Sequence, residues 1–567
     1  MNTYSPFEMA LGRYALVLAA SLFVLLSAWA LTGCSLLQNE APPSLPTSIS
    51  TPQTGEKGNE LSLSATESYE GAPMATDSYW EGGLDGGDEP WWPQDFNTEE
   101  YNALKEGGFI SAKVRPLSSL SADVDTASYC NVRRMIRDGY FAEDIPAGAI
   151  RIEEMLNYFS YDYAQPAGQD LFGTTVQVGD CPWNKDTKLL LMGFSSAPEM
   201  RNESAGSNLV FLIDVSGSMD SRDKLDLLQD AFAVLVDQLG DKDRISIVTY
   251  ASGEDVVLEG ASGADKKKIM RAIKRLHADG STNGEAGLKM AYEIAQDNFI
   301  EGGVNRIILA SDGDLNVGMT DESSLEDYVS KQRDTGVYLS VLGFGSGNYK
   351  DNKMETLADN GNGQYHYIDC VEEAERVFGE KLTANLVPLA DDVKLQVEFN
   401  PNMVKAYRLI GYENRALADE DFRDDTKDAG EIGPGHQFTV AYEVALVGSA
   451  QEVAQIDLKY SGQEQAVEGA DERDIVADGE WLTCTMRYRP AGESNAREQS
   501  FVVDGSEWTD APSDDWRFAA AVAWAGMILR DSDYSKDTTL DDVLAFIPKS
   551  SGDPYRTEFT ELLEELV

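Results

Sequence analysis

Between residues 207 and 383 the sequence alternates five short apolar runs, "NLVFLID", "RISIVTY", "RIILAS", "VYLSVLGF" and "QYHYID", with amphipathic stretches. Among the latter are "KLDLLQDAFAVLVDQL", "DKKKIMRAIKRL", "GEAGLKMAYEIAQDNF", "LEDYVSKQRDT" and "KMETLADN". Apolar runs of that length without polar alternation read as strands covered on both faces, and the helical spacing between them supplies the covers. The pattern predicts an α/β fold of Rossmann-like, doubly wound architecture with a mainly parallel sheet. Ligands bind such sheets outside the carboxyl ends of the strands, so those ends are where chemistry is expected.

The rest of the 567 residues follows other rhythms, as a chain too long for one core should. Residues 97–204 mix helical spacing, in "TASYCNVRRMIRDG" and "RIEEMLNYF", with strands expected at "SADVD", "TTVQVGDC" and "KLLLMGFSS". Residues 384–505 are β-rich: "DVKLQVEFN", "VKAYRLIGY", "HQFTVAYEVAL", "EVAQIDLKY" and "WLTCTMRYRP" alternate with turns, as in an antiparallel sandwich. Residues 506–567 are helical, beginning with an Ala-rich helix for which Ser513 is the expected N-cap. The β segments on either side of the 205–383 domain are expected to pair into one sandwich from which that domain protrudes as an insertion.

The first 33 residues place a single cation, Arg13, before "YALVLAASLFVLLSAWAL" and end in "LTGC". This has the form of a bacterial lipoprotein signal, with Cys34 as the acylated first residue of the mature chain. An uncleaved apolar anchor is the competing reading. Either one puts the remainder outside the cytoplasmic membrane, at the cell membrane or an outer membrane. Residues 34–96 are rich in Ser, Thr, Pro, Gly and Glu and read as a disordered acidic tether. With 98 acidic against 46 basic residues the net charge is −52, which repels phosphate backbones and argues against nucleic-acid binding. Cys130, Cys181, Cys370 and Cys484 are scattered without a metal-binding spacing, and their pairing is left open. Only three histidines, His277, His366 and His436, are present, too few for a histidine-rich zinc centre.

The first strand of the alternating region ends in "DVSGSMD", which puts Asp214, Ser216 and Ser218 at the sheet's carboxyl edge. Taken alone, such a triplet is equally a turn and helix cap. A second apolar strand, however, ends in Asp312, and "LHADGSTNGEAGL" places Thr282 in a Gly-rich turn before a helix. This combination resembles the von Willebrand factor type A domain. Its metal-ion-dependent adhesion site uses a D-x-S-x-S triplet, a loop Thr and a later Asp, here matched by Asp214, Ser216, Ser218, Thr282 and Asp312. The resemblance implies Mg²⁺ or Mn²⁺, held with few direct carboxylates and therefore open to an Asp or Glu from a protein partner. From residue 115 onward, "SADVDTASYCNVRRMI", "CPWN", "YRLIGYENRAL", "DAGEIGPGH" and "DDWRFAAAVAWAGMIL" resemble a bacterial family of von Willebrand factor A lipoproteins. That family has an N-terminal flanking region and a C-terminal domain of unknown function.

Enzyme readings find little support. No G-x-x-x-x-G-K-[ST] loop is present, "GFGSGN" at 343–348 has Asn where a dinucleotide turn needs its third glycine, and no G-x-S-x-G elbow occurs. Asp123 and Asp125 read as a satisfied turn or strand end before they read as metal ligands. The expectation is a non-enzymatic, envelope-anchored binding module. The alternative is a structural or chaperone-like protein whose metal only stabilises loops, with Glu285 near Thr282 as a possible internal cap.

Overall fold

A computed structural model describes residues 98–198, 205–313, 322–427, 429–453, 479–549 and 552–567. The signal, Cys34, the tether and nearly all of "EVAQIDLKY" lie outside the described residues.

The N-terminal flank comprises β1 (Ile110–Ser111), β2 (Leu117–Ser121), α1 (Ala127–Arg137), α2 (Ile152–Tyr158), β3 (Phe172–Asp180) and β4 (Lys188–Ser196). The strand expected at "SADVD" lies four residues earlier, and Ala122–Asp125 is irregular. The cause is the two carboxylates. Asp123 Oδ1 accepts from the Asp125 amide (2.9 Å) and Asp125 Oδ1 from the Tyr365 amide (3.0 Å), while Arg415 faces both acids, 3.7 Å from Asp123 and 3.4 Å from Asp125.

The central domain follows: β5 (Ser207–Asp214), α3 (Leu227–Gln238), β6 (Arg244–Tyr250), β7 (Glu254–Ser262), α4 (Lys266–Ile273), α5 (Gly284–Asp297), β8 (Val304–Ser311), α6 (Glu322–Arg333), β9 (Tyr338–Phe344), α7 (Asp351–Asn360), β10 (Tyr365–Ile368), α8 (Val371–Glu375) and α9 (Leu382–Leu386). Its sheet has the order β10-β9-β8-β5-β6-β7, parallel except for the edge strand β7. All eight residues of β5 are buried, as its apolar run requires. Leu209, Phe211 and Ile213 pack with Leu228 and Phe232 of α3 on one face. Val210 and Leu212 pack with Leu288 and Tyr292 of α5 on the other. The antiparallel strand β7 was not foreseen, because its charged residues Glu254, Asp255 and Glu259 face solvent at the sheet edge.

The C-terminal part comprises β11 (Ala390–Phe399), β12 (Val404–Ile410), β13 (Ala416–Leu417), β14 (Gly430–Ile432), β15 (Gln437–Leu446), β16 (Glu480–Pro490) and β17 (Arg497–Asp504), then α10 (Asp514–Leu529), α11 (Leu540–Phe546) and α12 (Pro554–Glu565). Two antiparallel sheets, β1-β12-β15-β4-β3 and β13-β2-β11-β16-β17, each interleave strands from before and after the central domain. In the first, Leu191 of β4 faces Ala441 of β15; in the second, Leu120 of β2 faces Leu395 of β11. Their inner faces share one core containing Phe194, Phe438 and Tyr442 from one sheet and Leu395, Val397 and Phe399 from the other. The central domain is therefore inserted between two halves of a sandwich, as expected. It does not protrude, however. The flank helices α1 and α2 and the C-terminal helix α10, N-capped by Ser513 Oγ, bury Met155, Leu156, Phe518 and Ala523 in the same cluster as Val210, Leu212 and Leu309.

That shared face also carries charge. Arg151, 1% exposed, forms an ion pair with Glu154 on α2 and crosses to Asp351 at the start of α7 (Nη2 to Oδ1, 3.3 Å), with Glu355 3.7 Å away. Arg133 of α1 similarly reaches Glu373 of α8 (3.0 Å) and Glu558 of α12 (3.1 Å). These guanidiniums join three parts of the chain that are far apart in sequence. Cys130, Cys181, Cys370 and Cys484 are all free thiols.

Candidate metal centre

Strand β5 lies between β6 and β8, so its end and that of β8 open at neighbouring points of the carboxyl edge. Asp214 ends β5, and Asp312 follows the last residue of β8 directly; both are fully buried. After Asp214 the chain turns sharply. Asp214 Oδ1 accepts from the Ser216 amide (2.9 Å), and Oδ2 accepts from the Ser311 hydroxyl (2.9 Å). The turn aims the Ser216 and Ser218 hydroxyls at one another, 3.0 Å apart, with Ser216 buried and Ser218 exposed at the rim.

The loop carrying Thr282 is laced to this turn by its backbone. Asp279 N donates to Val215 O (2.8 Å) and Gly217 N to Gly280 O (3.0 Å), which sets half-buried Thr282 just beyond. The five expected ligands therefore lie on three segments that the strand order and these backbone bonds bring side by side. Burial is the main cause that lifts the Asp214 carboxyl to about 6; the Ser216 amide opposes the shift and the Asp312 charge adds to it. Tyr250 lies beneath, its hydroxyl pushed well up by burial and then by the Asp214 charge. Glu285, the proposed internal cap, instead forms an ion pair with Lys289 one turn along α5.

Two participants escaped the sequence reading. Lys224, 7% exposed, directs its ammonium onto Asp312 Oδ2 (3.0 Å), Ser218 O (3.0 Å) and Asn348 Oδ1 (2.8 Å). Asn348 Nδ2 also donates to Asp312 Oδ2 (3.2 Å). The "GFGSGN" segment, read as a failed dinucleotide turn, thus serves this lysine. Gly345, at φ 76°, leaves room that a Cβ would take from the Lys224 stem. A lysine ten residues after the Asp was the only sequence signal, and its partner lies 124 residues away.

Carboxylate and hydroxyl oxygens, with neither thiol nor imidazole, form a donor set suited to a hard divalent cation, so the residues fit Mg²⁺ or Mn²⁺. A model for the von Willebrand factor type A domain matches residues 208–379, and one for von Willebrand factor matches residues 95–191. The doubly wound central domain, with this cluster at its strand ends, is a von Willebrand factor type A domain. A third model, described as "Uncharacterized protein YfbK, C-terminal", matches residues 384–567. The chain is 40% identical over 478 residues to the Escherichia coli K12 protein "Uncharacterized protein YfbK", covering 82% of this chain and 81% of that one. It belongs to the YfbK family. It is also 30% identical across 171 residues to "Uncharacterized protein sll0103" of Synechocystis, covering 30% of this chain and 40% of that one. Human inter-alpha-trypsin inhibitor heavy chain H4 is 30% identical over 146 residues, or 24% of this chain and 16% of that one. Among solved structures, a von Willebrand factor type A protein from Catenulispora acidiphila covers 68% of this chain and 88% of its own at 17% identity, with a TM-score of 0.37.

Proposed function

We propose that this protein is an envelope-anchored module that binds a protein partner through Mg²⁺ or Mn²⁺ held by Asp214, Ser216, Ser218, Thr282 and Asp312. The carrying observation is the convergence of these residues from three distant segments on one strand edge. A cation held there supplies an electrophilic position for a carboxylate oxygen of the partner. The residues of the chain supply the rest: buried Asp214 fixes the turn, the Ser216 and Ser218 hydroxyls face one another, and Ser218 is solvent-exposed. The exposure of Ser218, with Glu285 engaged by Lys289, favours ligand capture over an ion capped internally by Glu285. Cation bridging also lets a chain of net charge −52 engage an acidic group. The reading is of a binding protein and not an enzyme.

Calorimetric titration with MnCl₂ tests the metal step. The wild-type chain is expected to bind one ion and Asp214→Ala none. Capture of an envelope partner should then be lost in Asp214→Ala and in EDTA. Capture that persists unchanged in both would refute metal-mediated binding.

A further inference from the structure

Lys224 has no role in the adhesion site as the proposed function describes it, yet it is built into that site. Its ammonium is held by three oxygens from three segments: Asp312 Oδ2, Ser218 O and Asn348 Oδ1. The 345–350 loop is shaped around it, with Gly345 yielding to its stem and Asn348 bridging it to Asp312. That loop is held in turn from two sides. Asp223, the neighbour of Lys224, accepts from the Ser346 amide and hydroxyl (3.2 Å each). Thr98 N donates to Gly347 O (2.6 Å), while Glu99 Oε1 accepts from Gly347 N (2.8 Å) and Glu99 Oε2 from Arg134 of α1 (3.0 Å).

A surface lysine would not need such a cage. Long ammonium side chains ordinarily extend into water, and burying one requires acceptors that replace its hydration. Here the acceptors include a proposed metal ligand and the backbone of another.

We infer that Lys224 is a tethered cation that competes with the divalent ion for Asp312, holding metal affinity down and leaving Asp214 as the principal unneutralised carboxylate. This rests on the adhesion-site reading. With Lys224 in place the two acids and one base carry a net single negative charge; without it they carry two. A divalent ion responds steeply to that difference in a poorly hydrated site. Weak binding by the protein's own donors keeps the ion dependent on the partner's carboxylate. The tethered ammonium thereby sets how far occupancy by the ion depends on the partner.

The test is calorimetric titration of the full folded chain with MnCl₂, comparing wild type, Lys224→Met and Asn348→Ala. Methionine preserves the packed stem and removes the charge. Lys224→Met is expected to bind Mn²⁺ at least tenfold more tightly. Asn348→Ala, which keeps the ammonium and loosens its hold on Asp312, should bind severalfold more tightly, and it carries the test alone if Lys224→Met does not fold. Unchanged or weaker binding in the folded variants, with wild type still binding, would overturn the role of Lys224 and leave the adhesion site standing. No binding by any of the folded proteins would overturn both.

Discussion

Replacing Arg151 by Met should reveal how strongly the inserted domain is held to its flank. The methionine fills most of the space of the arginine stem, so the perturbation is chiefly electrical. It leaves the carboxylates of Glu154 and Asp351, whose side chains are 0% and 1% exposed, without the guanidinium that faces them, while Glu355 keeps Arg415 3.7 Å away. Removing one partner from a buried pair costs about 3–5 kcal/mol, because the remaining charge is uncompensated. Even with Arg151 present, burial raises the Glu154 carboxyl to about 8, against the attraction of Arg151. A carboxyl whose folded pKa is raised contributes stability that is complete below its unfolded value and lost as pH rises through the folded value. The deficit of Arg151→Met should therefore be greatest above pH 8 and shrink toward pH 5, where the stranded acids keep their protons. Urea unfolding followed by tryptophan fluorescence at pH 5, 7 and 8.5 measures this, and adding Asp351→Asn should return part of the loss. A deficit below about 1 kcal/mol at pH 8.5, or one independent of pH, would refute the reasoning.

Glu153 provides a test of the opposite sign. Its Oε2 accepts from the Tyr412 amide (2.9 Å), its Oε1 has no hydrogen-bond partner among the described residues, and burial, followed by the charges of Glu413 and Asp123, raises the carboxyl to about 7. Its stabilising effect is present at low pH and lost as pH rises through that value. Glu153→Gln should thus be more stable than wild type by about 1–3 kcal/mol at pH 8, with the gain shrinking at pH 5, as read from thermal melts across pH. A gain no larger at pH 8 than at pH 5 would contradict this. At the N-terminus, Cys34→Ala should abolish incorporation of labelled palmitate and release the protein from the membrane fraction. Retention without label would point instead to an uncleaved apolar anchor.

Much of the central domain was legible because its strands are buried on both faces. "NLVFLID" and "RIILAS" carry too many consecutive apolar groups to be anything else, and their ends located Asp214 and Asp312 directly. Strands with one solvated face were harder to read. The edge strand β7 escaped attention behind its exposed acids, and so did β17, whose outward residues include Arg497, Glu498 and exposed Val502. "SADVD" alternates like a strand, but its carboxylates find better partners outside one. Local pattern gave no sign of that, since Tyr365 lies 240 residues beyond Asp125.

Lys224 shows the same limit at the site itself. Its position at the start of a helical pattern suggests a solvated lysine, and "GFGSGN" suggests a poor nucleotide loop. Only the fold brings them together, because β9 delivers Gly345 and Asn348 to the edge where β5 and β8 deliver Ser218 and Asp312. The same loop receives Thr98 and Glu99, which begin the described chain where the expected tether ends. The cation cage is thus braced by Thr98 and Glu99, and by Arg134 of the flank behind them. The von Willebrand factor type A domain is inserted into a sandwich and shares one buried face with helices α1, α2 and α10. This loop is where Thr98, Glu99 and the strand edge carrying Asp312 are joined by hydrogen bonds, through Gly347 on one side and Asn348 on the other.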